Sequence, residues 1–154
     1  MRNKHKGFSL IELLIVVAII LIIAAIAIPN LLRSKIAANQ SSAVGSLRTL
    51  NTACIAFSTS YGQFPAALTN LGPVGSGTAS STSADLIDSV LSAGQKSGYV
   101  FTFTAGTANQ SYSITAKPIT AATTGQNTYY TDQSGVIRVD TSGSGAANAS
   151  TPIG

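Results

Sequence analysis

The chain has 154 residues, 45% hydrophobic and only 9% charged, which suits one modest domain and a separate apolar segment. Its formal charge of +4 misleads, because Arg2, Lys4 and Lys6 supply three of the nine basic side chains and beyond them six basic residues face five acidic ones. That balance offers little to a phosphate backbone, while a single histidine (His5) and a single cysteine (Cys54) exclude an intrachain disulfide, a Cys-rich zinc site and, past residue 5, any His-activated nucleophile.

Residues Met1 to Lys6 form a short polar leader with Arg2, Lys4, His5 and Lys6. From Phe8 to Ile28 the chain is apolar except for Ser9 and Glu12. As a helix this stretch spans roughly 30 Å, the thickness of a bilayer's hydrocarbon core. A basic flank ahead of an apolar span keeps the N-terminus cytoplasmic. Glu12 is the anomaly, since a carboxylate inside a span costs about 2.5–3.5 kcal/mol on insertion scales and calls for a partner. The span has no Lys, Arg or His. Cleavage after Gly7 would supply an α-amine on Phe8, one helical turn away. Two plainer readings exist: Ala25-Ile26-Ala27 has the small-x-small form of a secretory cleavage site, releasing a chain that starts at Ile28, and the span also suits an uncleaved signal-anchor. The secretory reading leaves Gly7 and Glu12 unexplained.

A basic leader ending in Gly7, then Phe8, Glu12, an unbroken apolar run and Pro29 resembles the class III signal of bacterial type IV prepilins, over residues 2 to about 30. The resemblance implies that a membrane prepilin peptidase cuts between Gly7 and Phe8 and methylates the new Phe8 amine. It further implies that Glu12 pairs with a neighbouring subunit's N-terminus during assembly and that Pro29 kinks the helix. The implied product is a pilus filament subunit serving adhesion, motility or DNA uptake. Its implied partners are further copies of itself, an assembly platform with its ATPase, and the inner membrane, which it crosses once with a cytoplasmic N-terminus before reaching the cell surface. Type II secretion pseudopilins share the same anchor and form the alternative, a periplasmic pseudopilus. No cofactor, metal or catalytic residue is implied, and a membrane-anchored enzyme is the rival from another class.

Past Pro29 the pattern changes. A proline inside a helical pattern removes one hydrogen bond and bends the axis without ending it. Val44, Leu47, Leu50, Cys54, Phe57 and Tyr61 recur every three or four residues, an amphipathic stripe with Arg48, Asn51 and Thr52 off it. Arg33 and Lys35 read as snorkelling or solvated cations. One helix is therefore expected from about Ser9 to Ser60, with Cys54 as a small core side chain. Gly62 and Pro65 stop it.

Residues 62–98 read as a connection, with Leu71 to Ser83 too polar for core. Ser83 is expected to cap a short helix over Asp85 to Leu91 that stops at Gly94. Asp85 and Asp88 read as capping and solvated groups rather than a catalytic or calcium pair.

From Tyr99 the period is two: Tyr99, Phe101 and Phe103 share a face, as do Tyr112, Ile114 and Ala116, around a hairpin loop at Ala105 to Asn109. Further strands are expected at about Asn127 to Thr131 and Val136 to Asp140, joined by a turn at Asp132-Gln133-Ser134-Gly135. That turn does not match an EF-hand loop, although major pseudopilins carry calcium near their C-terminus. The tail, residues 141–154, is small, polar and expected to be flexible. Sequons at Asn39, Asn109 and Asn148 are weak signals in a Ser/Thr-rich chain. The expected class is α+β, a pilin fold with a long helix on a three- or four-stranded antiparallel sheet. Its expected segments are a leader (1–7), a hydrophobic core helix (8–29), an amphipathic half (30–61), a connection (62–98), a sheet (99–140) and a tail (141–154).

Overall fold

The computed structural model describes residues 7–143 and 145–153, so the leader residues Arg2, Lys4, His5 and Lys6 lie outside the described residues. The chain divides into two units, up to Ser34 and from Lys35 onward. Helix α1, Leu10–Tyr61, runs without interruption through Pro29 and supplies residues to both.

In the first unit the apolar side chains are exposed all round the helix. Leu13, Leu14, Ile15, Val16 and Val17 are consecutive and all exposed, and at 100° per residue they cover the whole circumference. A helix apolar on every side needs lipid or other helices around it. This one is long and apolar enough to cross a membrane.

The second unit is α+β. The C-terminal part of α1 packs against an antiparallel sheet of six strands in chain order: β1 (Gln95–Lys96), β2 (Tyr99–Ala105), β3 (Tyr112–Pro118), β4 (Thr128–Asp132), β5 (Arg138–Asp140) and β6 (Thr151–Pro152). Each strand pairs with the next. Six strands replace the expected three or four. The extra two are two-residue edge strands, too short to leave a period in the sequence. Inward residues of the sheet, Tyr99, Phe101, Tyr112, Ile114, Ala116 and Tyr129, meet Ala43, Leu47, Leu50, Cys54 and Phe57 of α1 in one core. Phe103 stacks on Tyr112 with ring centroids 5.7 Å apart, and Phe64 meets the same ring edge-on at 4.9 Å.

Four local expectations are corrected. Asn51 is buried within the helix stripe rather than off it, because partners across the sheet satisfy its amide. Leu71 is fully buried: it closes a 3-10 turn, Leu68–Leu71, and its carbonyl accepts the Leu86 and Ile87 N–H groups. The short helix α2 spans only Ser89–Ser92. Its cap is Asp88, which accepts the Leu91 N–H at 2.6 Å, while Asp85 takes a left-handed conformation that cannot start a helix. Finally, the tail, expected to be without regular structure, contributes a strand: β6 pairs with β5, Ile153 N–H donates to Ile137 C=O at 2.8 Å, and Ala146 is buried.

Gly125 has a positional reason. Its backbone lies against the Tyr99 ring and leaves no room for a Cβ, and Tyr99 hydroxyl donates to Asn127 C=O at 2.9 Å just beyond it.

Candidate processing and assembly site

Gly7, Phe8 and Ser9 precede the first residue of α1 and are exposed, Phe8 to 79%. Ser9 C=O accepts the Leu13 N–H at 3.2 Å, so Ser9 is the residue that caps the helix. Glu12 sits three residues later, and its Oε2 accepts the Ser9 backbone N–H at 2.9 Å. This is the return half of a capping box, with a Glu at the third helical position holding the cap residue's own N–H. A carboxylate in the first turn also lies in the favourable field of the helix N-terminus.

The geometry therefore brings Glu12 to Ser9, not to Phe8. In the uncut chain Phe8 nitrogen is a peptide amide and carries no charge. Sequence reasoning passed over the Ser9-Leu10-Ile11-Glu12 spacing, which is the S-x-x-E signature of such a box. Pro29 lies in the same helix, about 25 Å along the axis from Glu12 at ~1.5 Å per residue, and is exposed.

Asp88 and Asp132 serve local structure. Asp88 forms an ion pair with Lys96 at 2.8 Å. That contact, with the Leu91 N–H, holds its carboxyl below the usual range. Asp132 Oδ1 accepts from Ser134 N–H at 2.9 Å and from its hydroxyl at 2.5 Å, which fixes the turn into β5. Among the described residues no three His, Cys, Asp or Glu side chains converge as metal ligands. Cys54 is a free thiol, and burial pushes it up to about 12. An open groove of about 620 Å³ runs between Ala37, Ser41, Val44 and Arg48 of α1 and Tyr129, Val139 and Ile153 of the sheet. Among the described residues its lining contains no acid, thiol or histidine.

Residues 2–28 match the family described as the prokaryotic N-terminal methylation motif. The chain is 54% identical over 50 residues to the type IV major pilin protein PilA of Myxococcus xanthus, covering 32% of this chain and 23% of that one. It is 63% identical over 41 residues to the type IV wide pilus major component PilA4 of Thermus thermophilus, covering 27% and 30%. With the type IV major fimbrial protein FimA of Dichelobacter nodosus it shares 51% over 59 residues, 36% and 37% of the two chains. The matched part thus spans about a quarter to just over a third of these relatives. No solved structure matches.

The N-terminal segment carries a prokaryotic N-terminal methylation motif and is similar to the N-terminal part of type IV major pilins. Behind it stands an α+β architecture, a long N-terminal helix with an antiparallel sheet.

Proposed function

We propose that the chain is a structural subunit of a type IV pilus filament and not an enzyme. The observation that carries this reading is an apolar, membrane-length helix none of whose apolar window is buried in the single chain, preceded by Gly7-Phe8-Ser9 and carrying Glu12 as the one charge between Phe8 and Ile28. The uncut subunit waits in the inner membrane, crossing it once with Gly7 on the cytoplasmic side. Prepilin peptidase cuts between Gly7 and Phe8 and methylates the Phe8 amine. The assembly platform and its ATPase then lift subunits so that apolar helices exchange lipid for one another, and the filament emerges at the cell surface.

Glu12 supplies the register. Its Oε2 is held by its own helix, and the carboxylate has lone pairs left for the Phe8 ammonium of a neighbour. A stagger that leaves either charge unpaired among apolar helices is penalised by several kcal/mol, as for any buried ion pair that loses a partner. Pro29 weakens the hydrogen-bond ladder of α1 and gives the packed helix a place to bend.

The deciding experiment is intact mass and N-terminal analysis of protein sheared from the cell surface. Chains beginning at methylated Phe8 are expected. Chains beginning at Ile28, or retaining Met1, would overturn the filament reading.

A further inference from the structure

The last strand returns to the sheet through a strap, described over residues 141–143 and 145–153, and one carboxylate holds its base. Asp140 ends β5. Its Oδ1 accepts the Ser142 N–H at 2.8 Å and the Ser142 hydroxyl at 2.6 Å, and its Oδ2 accepts the Gly145 N–H at 2.8 Å. With the strap so folded, Ala146 N–H reaches Thr128 Oγ1 at 2.8 Å in a buried position on β4, the strand residue paired with Asp140. Farther on, Ala147 N–H donates to Ser150 Oγ at 3.0 Å, and Arg138 Nη1 donates to Ser150 C=O at 3.3 Å. β6 then closes on β5 through two residue pairs. With a single cysteine in the chain, no disulfide within it ties this segment down.

We propose that Asp140 is an acid-operated clasp: its ionised carboxylate keeps the strap against the sheet, and protonation releases the strap as a unit while α1 and β1–β4 stay folded. A carboxylate offers acceptor sites on both oxygens, whereas a carboxylic acid turns one oxygen into a donor. The protonated group therefore cannot serve Ser142 and Gly145 together. Among the described residues, the charged and titratable groups around the clasp are cations and the phenols Tyr129 and Tyr130, with Asp132 beside Tyr130 farther along β4. Lys117 of β3 reaches the strap beside Gly145. Arg138 lies two residues before Asp140 on β5, and Tyr130 of β4 stands opposite Arg138. Arg48 of α1 lines the groove that Thr141 also borders. The strap itself contributes no charged side chain among its described residues. Arg138, on the same face of β5, and Lys117, beside Gly145, favour the ionised clasp, so closure holds at neutral pH and is lost on acidification.

Release has a defined consequence. Thr141, Val139 and Ile153 line one side of the groove facing α1. Freeing the strap removes Ile153 from that wall and uncovers the edge of β5. Both changes are local, because Ile153 packs against the outside of the helix–sheet core and no described strap residue belongs to its buried cluster.

The test is amide hydrogen exchange of the full chain in detergent micelles, corrected for the intrinsic pH dependence of exchange, for wild type, Asp140→Asn and Asp88→Asn. Wild type is expected to lose protection at Gly145, Ala146 and Ile153 as the pH falls below about 4, where aspartates take up their proton. Protection at Ile114 and Leu50 should persist throughout. Asp140→Asn should exchange about tenfold or more faster in the strap at neutral pH, the effect of losing a charge-assisted hydrogen bond, and should lose the acid transition. Asp88→Asn should leave the strap as in wild type. An unchanged strap in Asp140→Asn, or loss of strap and core together on acidification of wild type, would overturn the proposal.

Discussion

Tyr112 hydroxyl donates to Asn51 Oδ1 at 3.1 Å, joining α1 to β3 inside the core. The same amide gives one N–H to Thr131 Oγ1 at 2.8 Å and reaches Gly135 C=O at 3.4 Å. One helix side chain thus ties together β3, β4 and the turn before β5. Apolar packing alone leaves the helix free to slide along the sheet; this network selects one register, since any shift strands buried polar atoms.

Asn51→Ala should destabilise the head by about 2–4 kcal/mol, because it leaves the Tyr112 and Thr131 hydroxyls without their partner and opens a small cavity. Tyr112→Phe, which orphans only the Asn51 oxygen, should cost about 1–2 kcal/mol. The double variant should cost less than the sum. Urea unfolding of the full chain in micelles, followed by tyrosine fluorescence and far-UV dichroism, measures all three. Additive losses would show that the pair does not act as a network.

Alkaline stability should be limited by the core. Burial pushes Cys54 from its ordinary 9.0 to about 12 and Tyr99 from 10.0 to about 12. Tyr112 is pushed up by burial first, then by Cys54 and Asp132 nearby. Each group therefore holds its proton more tightly folded than unfolded. Their neutral forms carry full stability below the unfolded values, and that stability drains away as pH rises from about 9 through 12. Cys54→Ala should flatten the first part of this loss at some cost in packing. Thermal unfolding against pH reads the slope, and a wild-type slope that stays flat above pH 10 would contradict the assignment.

Glu12→Gln and Glu12→Val separate the two contacts of this carboxylate. The glutamine keeps an acceptor for Ser9 N–H and loses the charge; the valine loses both. Surface filaments should be lost in both variants. The first turn of α1 should stay ordered in micelles only with glutamine, seen as retained amide protection at Ser9 and Leu13. Filaments assembled normally by Glu12→Val would remove the pairing from the mechanism.

Gly125→Ala should destabilise the head by about 1–3 kcal/mol, the usual cost of overpacking, because the new methyl group meets the Tyr99 ring. The near-ultraviolet dichroism of the tyrosines should change with it. Gly45→Ala is the control: nothing lies near its missing Cβ, so the added helix propensity should be neutral or stabilising by up to ~1 kcal/mol.

The sequence by itself determined the helix, the main strands and the anchor. Phe8 to Ile28 is apolar whatever surrounds it, the stripe from Val44 to Tyr61 repeats at the helical period, and Tyr99 to Phe103 and Tyr112 to Ala116 alternate at the period of a strand. These are local patterns, and a local pattern is readable because backbone geometry fixes which side chains share a face. The Gly7, Phe8 and Glu12 spacing was legible for the same reason, and the capping box at Ser9 was there to be read as well. Only the tertiary structure decided where polar groups end up. Asn51 looks like a solvent-facing residue until Tyr112 and Thr131 arrive from 61 and 80 residues away. Leu71 lies at the head of a polar loop, and Asp140 with its strap sits in a stretch without apolar period. Each is fixed by partners distant in sequence or by backbone hydrogen bonds that any residue can make, and neither leaves a periodic trace in the chain.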